Sequence, residues 1–241
     1  MMRSLRLSLA LVLAPLAGCA SNPPAGAAAG APAASAARAQ PLGALAGGAR
    51  VIVLPTRYLA VEPEVRWWTG AADSLTALTD LDAAIRAALR ERGVGSDWVW
   101  PDAVRRSVAR SAGTLTDPAR WDATRLRRVR AGVPLGVPPD LHSQLRTLAA
   151  LNDARYVLYP IDYVVARELL PTAQRGATCA ALRLAFIDVR AATVEWVGIV
   201  SGRPAASYSP ALPAGVASRV ADLVAPADSV DRFPACQSPL H

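Results

Sequence analysis

The sequence predicts an α/β chain: a single mixed β-sheet with helices on its faces and a C-terminal β-hairpin. Three observations carry this expectation. Arg50-Val51-Ile52-Val53-Leu54-Pro55 is a short unbroken apolar run, the pattern of a strand buried on both faces. Leu81, Ile85 and Leu89 then recur every four residues, which is helical spacing. Later, Leu182, Leu184 and Phe186 alternate on one face, a six-residue turn covers Asp188 to Thr193, and Val194 to Ser201 returns.

In chain order, the run at 51–54 is the first strand and Pro55 ends it. A long loop from Thr56 to Leu78 follows. The helix around Leu81 is capped by Thr79 or Asp80 and stopped by Gly93. Asp97-Trp98-Val99-Trp100-Pro101 reads as a second short strand, and Pro101 opens a helix running to about Ser111. Asp117-Pro118 repeats that start signal for a helix through about Arg130, and Gly132 to Pro139 is a linker. Leu141, Leu145, Leu148 and Leu151 mark another helix, and Arg155 to Val164 is a third strand, apolar on both faces from Tyr156 to Tyr159. Val216, Val220 and Leu223 predict a last helix. Helix-separated strands plus a hairpin combine as one sheet with helices packed on it.

The order of these elements and the residues that fill it resemble the periplasmic α/β domain of a group of envelope proteins. An apolar strand ends in Leu54-Pro55, the run Leu148 to Leu158 contains Asp153-Ala154-Arg155-Tyr156-Val157-Leu158, and a hairpin has Asp188 in its turn and Trp196 in its returning strand. This is similar to the CsgG-like curli-secretion lipoprotein, the penicillin-binding-protein activator lipoproteins and the amino-terminal domain of TolB. The resemblance spans about residues 50 to 201 and implies the fold, with no catalytic residue. Ala191-Ala192-Thr193 stands where the group usually has Thr-Gly.

The first 18 residues have the parts of an export signal: Arg3 and Arg6, then an apolar stretch from Leu7 to Leu13. That stretch is far shorter than the roughly 20 residues needed to span a bilayer. Leu16-Ala17-Gly18-Cys19 resembles the lipobox of bacterial lipoproteins. The resemblance implies cleavage before Cys19 and three acyl chains on it, which make release from a membrane negligible. It also implies outer-membrane sorting, because Ala20 and Ser21 follow where Asp would signal retention at the inner membrane. Residues 20–49 are almost wholly Ala, Gly, Pro and Ser and are expected to be a tether, since little apolar surface is present to offset chain entropy. The expected organisation is thus signal 1–18, lipid-bearing cysteine and tether 19–49, α/β domain 50–224 and tail 225–241.

The formal net charge is +7, and removal of Arg3 and Arg6 with the signal leaves +5. All the basic side chains are arginine, for the chain has no lysine. Walker-type phosphate loops, pyridoxal Schiff bases and Ser-x-x-Lys acyl enzymes are thereby excluded. Export makes a nucleic-acid partner unexpected. With Cys19 assigned to lipid, Cys179 and Cys236 are left in an oxidising compartment. One bridge between them would close a loop of about 57 residues, worth roughly 4 kcal/mol in the chain-entropy treatment; two unpaired thiols are the other possibility.

Few residues offer catalysis. The chain has two histidines, His142 and His241, and His142 lies next to Asp140 on a helix start, where i and i+2 point apart. A capping or surface role is the expectation for His142. No metal-ligand spacing is present, no cofactor is expected, and none of the 19 acidic residues is singled out as half of a glycosidase pair. Glu62 and Glu64 share a loop, Asp80 and Asp82 a helix start, and Asp188 a turn.

Two features are candidates for binding. Tyr58, Arg66, Trp67 and Trp68 combine aromatic and arginine side chains, the types that dominate interface hot spots. Packing of both tryptophans beneath the loop is the competing reading. Arg120, Arg125, Arg127, Arg128 and Arg130 scatter round a helix at 100° per residue, as on a solvated surface. The expectation is a non-enzymatic, membrane-anchored periplasmic protein that binds an envelope partner. A cell-wall hydrolase and a subunit of an oligomeric export assembly are the rival expectations.

Overall fold

The computed structural model describes residues 42–63, 65, 73–111, 113–128, 135–167, 177–226 and 236. Cys19, Arg66, Trp67, Trp68, Glu64, Arg130 and His241 lie outside the described residues, as does nearly all of the tail.

A six-stranded mixed sheet organises the domain. β1 (Val51–Val53) and β2 (Tyr58–Val61) both run parallel to β4 (Tyr156–Arg167) and lie end to end along it, against Tyr156–Leu158 and Asp162–Val165. Beyond β4 the sheet is antiparallel, through β5 (Thr178–Asp188) and β6 (Thr193–Ser201) to the two-residue β3 (Leu135–Gly136).

Both faces are covered, which is why the central strands read as continuous apolar runs. α1 (Leu42–Ala46), α2 (Ser74–Glu91) and α6 (Ala211–Val224) pack on one side, where Val51, Val53, Leu158, Leu182 and Phe186 meet Leu81, Ile85, Leu89, Val216 and Val220. α3 (Pro101–Arg110), α4 (Thr124–Arg127) and α5 (Pro139–Leu151) cover the other, over Ile52, Leu54, Val157, Tyr159 and Ile187. Each fully buried Leu or Ile contributes about 1.5–3 kcal/mol relative to exposure. β4 carries proline inside it, and the register shifts between Pro160 and Asp162. Pro160 still pairs with Leu184, and it is Ile161 that the bulge leaves without a partner on β5, the kind of irregularity beside which a strand tolerates proline. The bulge also reverses the alternation: Tyr159 and Ile161 face the α5 layer, whereas Tyr163 and Val165 face the α2 layer.

Several expectations need correction. Residues 42–49, expected to belong to a tether, are part of the fold: Leu42 and Ala46 are buried, and Gly43 is pressed so closely on the Val224 carbonyl that a Cβ would lie 2.6 Å from its oxygen. The loop from Thr56 to Leu78 contains β2, and α2 begins at Ser74 because Asp73 caps it, its carboxylate accepting from the Thr76 N–H at 2.6 Å. Asp97 to Pro101 forms a bridge at Val99 and no longer strand. The helix expected from Pro118 to Arg130 is broken. A 3₁₀ turn (Pro118–Arg120) stops where Trp121 is buried, its indole N–H donating to the Thr116 carbonyl and hydroxyl; α4 restarts after Asp122 accepts from the Thr124 N–H. The Gly132–Pro139 linker contributes β3.

The hairpin forms as expected. Asp188 fixes its turn by accepting from the N–H groups of Arg190 and Ala191. Cys179 on β5 and Cys236 are joined by a disulfide with Cα atoms 5.8 Å apart. The Cys236 N–H donates to the Gly202 carbonyl just beyond β6, so the bridge holds this point of the tail against the sheet.

Candidate partner-binding site

Tyr58 opens β2 and is half exposed. Register places Tyr58, Asp162, Arg183 and Ile199 side by side across β2, β4, β5 and β6. Asp162 is 7% exposed, a charge inside an apolar strand, and such a charge is tolerated only with partners. Arg127 at the end of α4 supplies one, its Nη2 2.7 Å from Asp162 Oδ1. Arg183 supplies another, with Nε 3.8 Å from Oδ2, while its Nη1 donates to the Arg127 carbonyl.

Arg127 also lies over the Tyr58 ring, 5.0 Å from its centroid. A cation over an exposed ring is worth about 0.5–1 kcal/mol. Its larger consequence is order: Asp162 fixes Arg127, and Arg127 restrains Tyr58. A side chain already held in place has less rotamer freedom to lose on binding. Beneath them the Tyr159 hydroxyl is buried, and burial pushes its pKa up to about 12, so it stays protonated.

Arg66, Trp67 and Trp68, outside the described residues, follow this same strand in sequence. Glu62 continues the pairing of β2, its N–H donating to the Val165 carbonyl and its carboxylate accepting from the Arg167 N–H. Val65 is buried, with its N–H donating to the Glu62 carbonyl, so the chain turns there. The described residues break after Val65 and resume at Asp73, so Arg66, Trp67 and Trp68 follow directly on a described residue beside β2.

His142 is placed for structure: its Nε2 lies 2.9 Å from the Val189 carbonyl, to which it must donate, tying α5 to the end of β5. The carboxylates weighed as acids are engaged as well. Asp82 was expected near a helix start; it instead lies buried in α2, accepting from the Thr56 N–H and hydroxyl, and burial raises its pKa. Asp188 binds Arg155 through Oδ2. Among the described residues no cluster of three His, Cys, Asp or Glu side chains is arranged for a metal, and no helix is long and apolar enough to cross a membrane.

Sequence reasoning named Tyr58, and named Arg127 only among arginines scattered round a solvated helix; it did not single out Asp162 or Arg183. Asp162 did leave a signal, as the one acid within the run Tyr156 to Val165. Arg127 could not be set apart from the other arginines of its segment, because its place depends on where a broken helix delivers it.

Among solved structures, the chain is similar to the PelC dodecamer from Paraburkholderia phytofirmans, at 16% identity over 74% of this chain and 88% of that chain, with a TM-score of 0.37. It is also similar to the LpoB C-terminal domain from Salmonella enterica, at 16% identity over 64% and 82%, with a TM-score of 0.33. A third likeness is to lipoprotein GNA1162 from Neisseria meningitidis, at 19% identity over 65% and 81%, with a TM-score of 0.32. No family model and no curated protein matches. These are distant likenesses, and the reading of the site rests on its own residues.

Proposed function

We propose that this chain is a non-enzymatic bacterial lipoprotein, anchored through lipid on Cys19 and facing the periplasm from the outer membrane, that binds another envelope protein. The contact centres on Tyr58 and the loop residues Arg66, Trp67 and Trp68. The observation that carries the binding site is the Tyr58–Arg127–Asp162 stack: an exposed aromatic ring held by a guanidinium that a buried carboxylate holds in turn. Lipidation is supported by Leu16-Ala17-Gly18-Cys19 after an apolar segment too short to span a bilayer.

Crosslinking the protein in its native envelope, followed by identification of the attached species, tests this reading. Combined Tyr58→Ala, Trp67→Ala and Trp68→Ala substitutions are expected to lower recovery of the crosslinked partner at least about tenfold, as for hot-spot truncations. Unchanged recovery with an intact fold would contradict the site. Release of muropeptides by the purified protein would contradict the non-enzymatic reading.

A further inference from the structure

The Tyr58–Arg127–Asp162 stack is bordered by cations that the fold leaves without acids. Arg57 precedes Tyr58 and is half-buried, while Arg125 and Arg128 are exposed on and just after α4. Three residues apart on one helical turn, Arg125 and Arg128 share a side. Elsewhere several arginines have acids beside them: Arg86 and Arg106 meet Asp102, Arg92 meets Asp222, and Arg155 meets Asp188. Arg57, Arg125 and Arg128 make no such pair among the described residues.

These cations lie close together. The exposed Asp122 is held below the ordinary carboxylate range first by hydrogen bonds from Thr124, then by the charges of Arg57 and Arg125, which places both guanidinium groups near it. Arg57 and Arg127 likewise act on the Tyr159 hydroxyl, pulling back part of the rise that burial imposes. Among the described residues, Arg57, Arg125, Arg127, Arg128 and Arg183 thus stand against Asp122 and Asp162, and Asp162 is buried and already engaged by Arg127 and Arg183. The next acid along the chain, Glu62, follows the far end of β2, its carboxylate on the Arg167 N–H. The exposed ring therefore sits in a patch with an excess of positive charge.

We propose that the partner surface received at Tyr58 is an acidic protein surface, whose carboxylates pair with Arg57, Arg125 and Arg128 around the ring. This rests on the reading of Tyr58 as the centre of the contact, and it names the chemistry that the contact selects. A guanidinium matches a carboxylate with two parallel hydrogen bonds, and complementary charge speeds encounter and rejects wrong partners. Asp122 separates a protein from other anionic surfaces. A carboxylate exposed among the arginines repels a continuous layer of phosphates, whereas a protein can set a donor opposite it.

The test uses the full lipoprotein in its native envelope, with Tyr58 replaced by the photo-crosslinking residue p-benzoylphenylalanine, which keeps an aromatic ring. The attached segment is identified by mass spectrometry of the proteolysed adduct. The expected adduct is a protein segment rich in Asp and Glu. Adding Arg125→Glu with Arg128→Glu is expected to lower its recovery at least about tenfold, the scale of electrostatic steering. Arg125→Gln with Arg128→Gln should fall between, and being a milder change at exposed positions it guards against misfolding of the reversal variant. Arg146→Glu with Arg190→Glu, on α5 and in the hairpin turn, should leave recovery unchanged. A neutral or basic attached segment, a lipid adduct, or equal loss from the two reversal pairs would overturn the proposal while leaving Tyr58 as a point of contact. Absence of any adduct at position 58 would overturn the Tyr58 reading, and this inference with it.

Discussion

Asp188 and Asp82 are both shielded from solvent, 3% and 8% exposed, but Asp188 lies in a surface turn and Asp82 deeper, on the packed face of α2, and burial has opposite outcomes for them. In the hairpin turn, Asp188 receives four donors. Arg155 approaches Oδ2 with Nε at 2.9 Å and Nη2 at 2.6 Å, and the Arg190 and Ala191 N–H groups reach Oδ1. Burial pushes its pKa up, but the Arg155 and backbone hydrogen bonds outweigh it and hold the carboxyl below the ordinary carboxylate range. On α2, Asp82 receives only the Thr56 hydroxyl and N–H, both at Oδ1, while Oδ2 has Arg105 at 3.6 Å and no hydrogen bond. There desolvation wins and the pKa is raised. The number of donors, and above all a paired guanidinium, helps decide whether a buried acid's pKa falls or rises.

The comparison is most easily broken at Asp188. Asp188→Ala removes the turn's acceptor and leaves Arg155 without its partner, and a loss of about 2–4 kcal/mol is expected in denaturant unfolding at neutral pH. A loss below about 1 kcal/mol would mean the turn does not depend on this carboxylate. Next in size is the pH dependence, which has opposite signs at the two sites. For Asp188 the folded pKa lies below the ordinary 3.8, so its stabilisation is complete above that value and is lost as pH falls through the folded pKa. For Asp82 the folded pKa lies above 3.8, so the folded state binds the proton more tightly and stability declines as pH rises from 3.8 through the folded value. Unfolding measured across that range should show the Asp188→Ala deficit shrinking on acidification. The smallest effect is expected for Asp82→Asn, which keeps an oxygen for both Thr56 donors and removes a buried charge. It should leave stability unchanged or raise it by up to about 1 kcal/mol at neutral pH, with the gain fading toward acid.

The same contrast explains what was legible in the sequence. Asp188 could be read as a turn residue because its role is local, two and three residues from the N–H groups it holds. Asp82 sits next to Leu81 on the buried stripe of α2 and was read as a helix-start residue, because its partner Thr56 lies 26 residues earlier. The strands and helices that were anticipated, β1, α2, α3, α5, β4, α6 and the hairpin, have apolar patterning or clear start and stop signals of their own. β2 escaped because four half-buried residues beside a loop show no pattern of their own; they become a strand by pairing with the far half of β4. The broken helix after Pro118 was invisible because the burial of Trp121, a tertiary event, overrides a sound start signal. At the candidate site, composition pointed to Tyr58, but cross-strand register and the broken helix assembled Asp162, Arg183 and Arg127 around it.

The function proposed for this molecule, a partner-binding protein held at a membrane, depends on one atom, the Cys19 sulfur. Its most direct test is intact mass and metabolic palmitate labelling of the protein recovered from membrane and soluble fractions, with Cys19→Ala alongside. The expected result is a labelled chain beginning at Cys19 in the membrane fraction, with Cys19→Ala unlabelled and released from it. An unlabelled wild-type chain, or membrane retention of label after Cys19→Ala, would contradict the account.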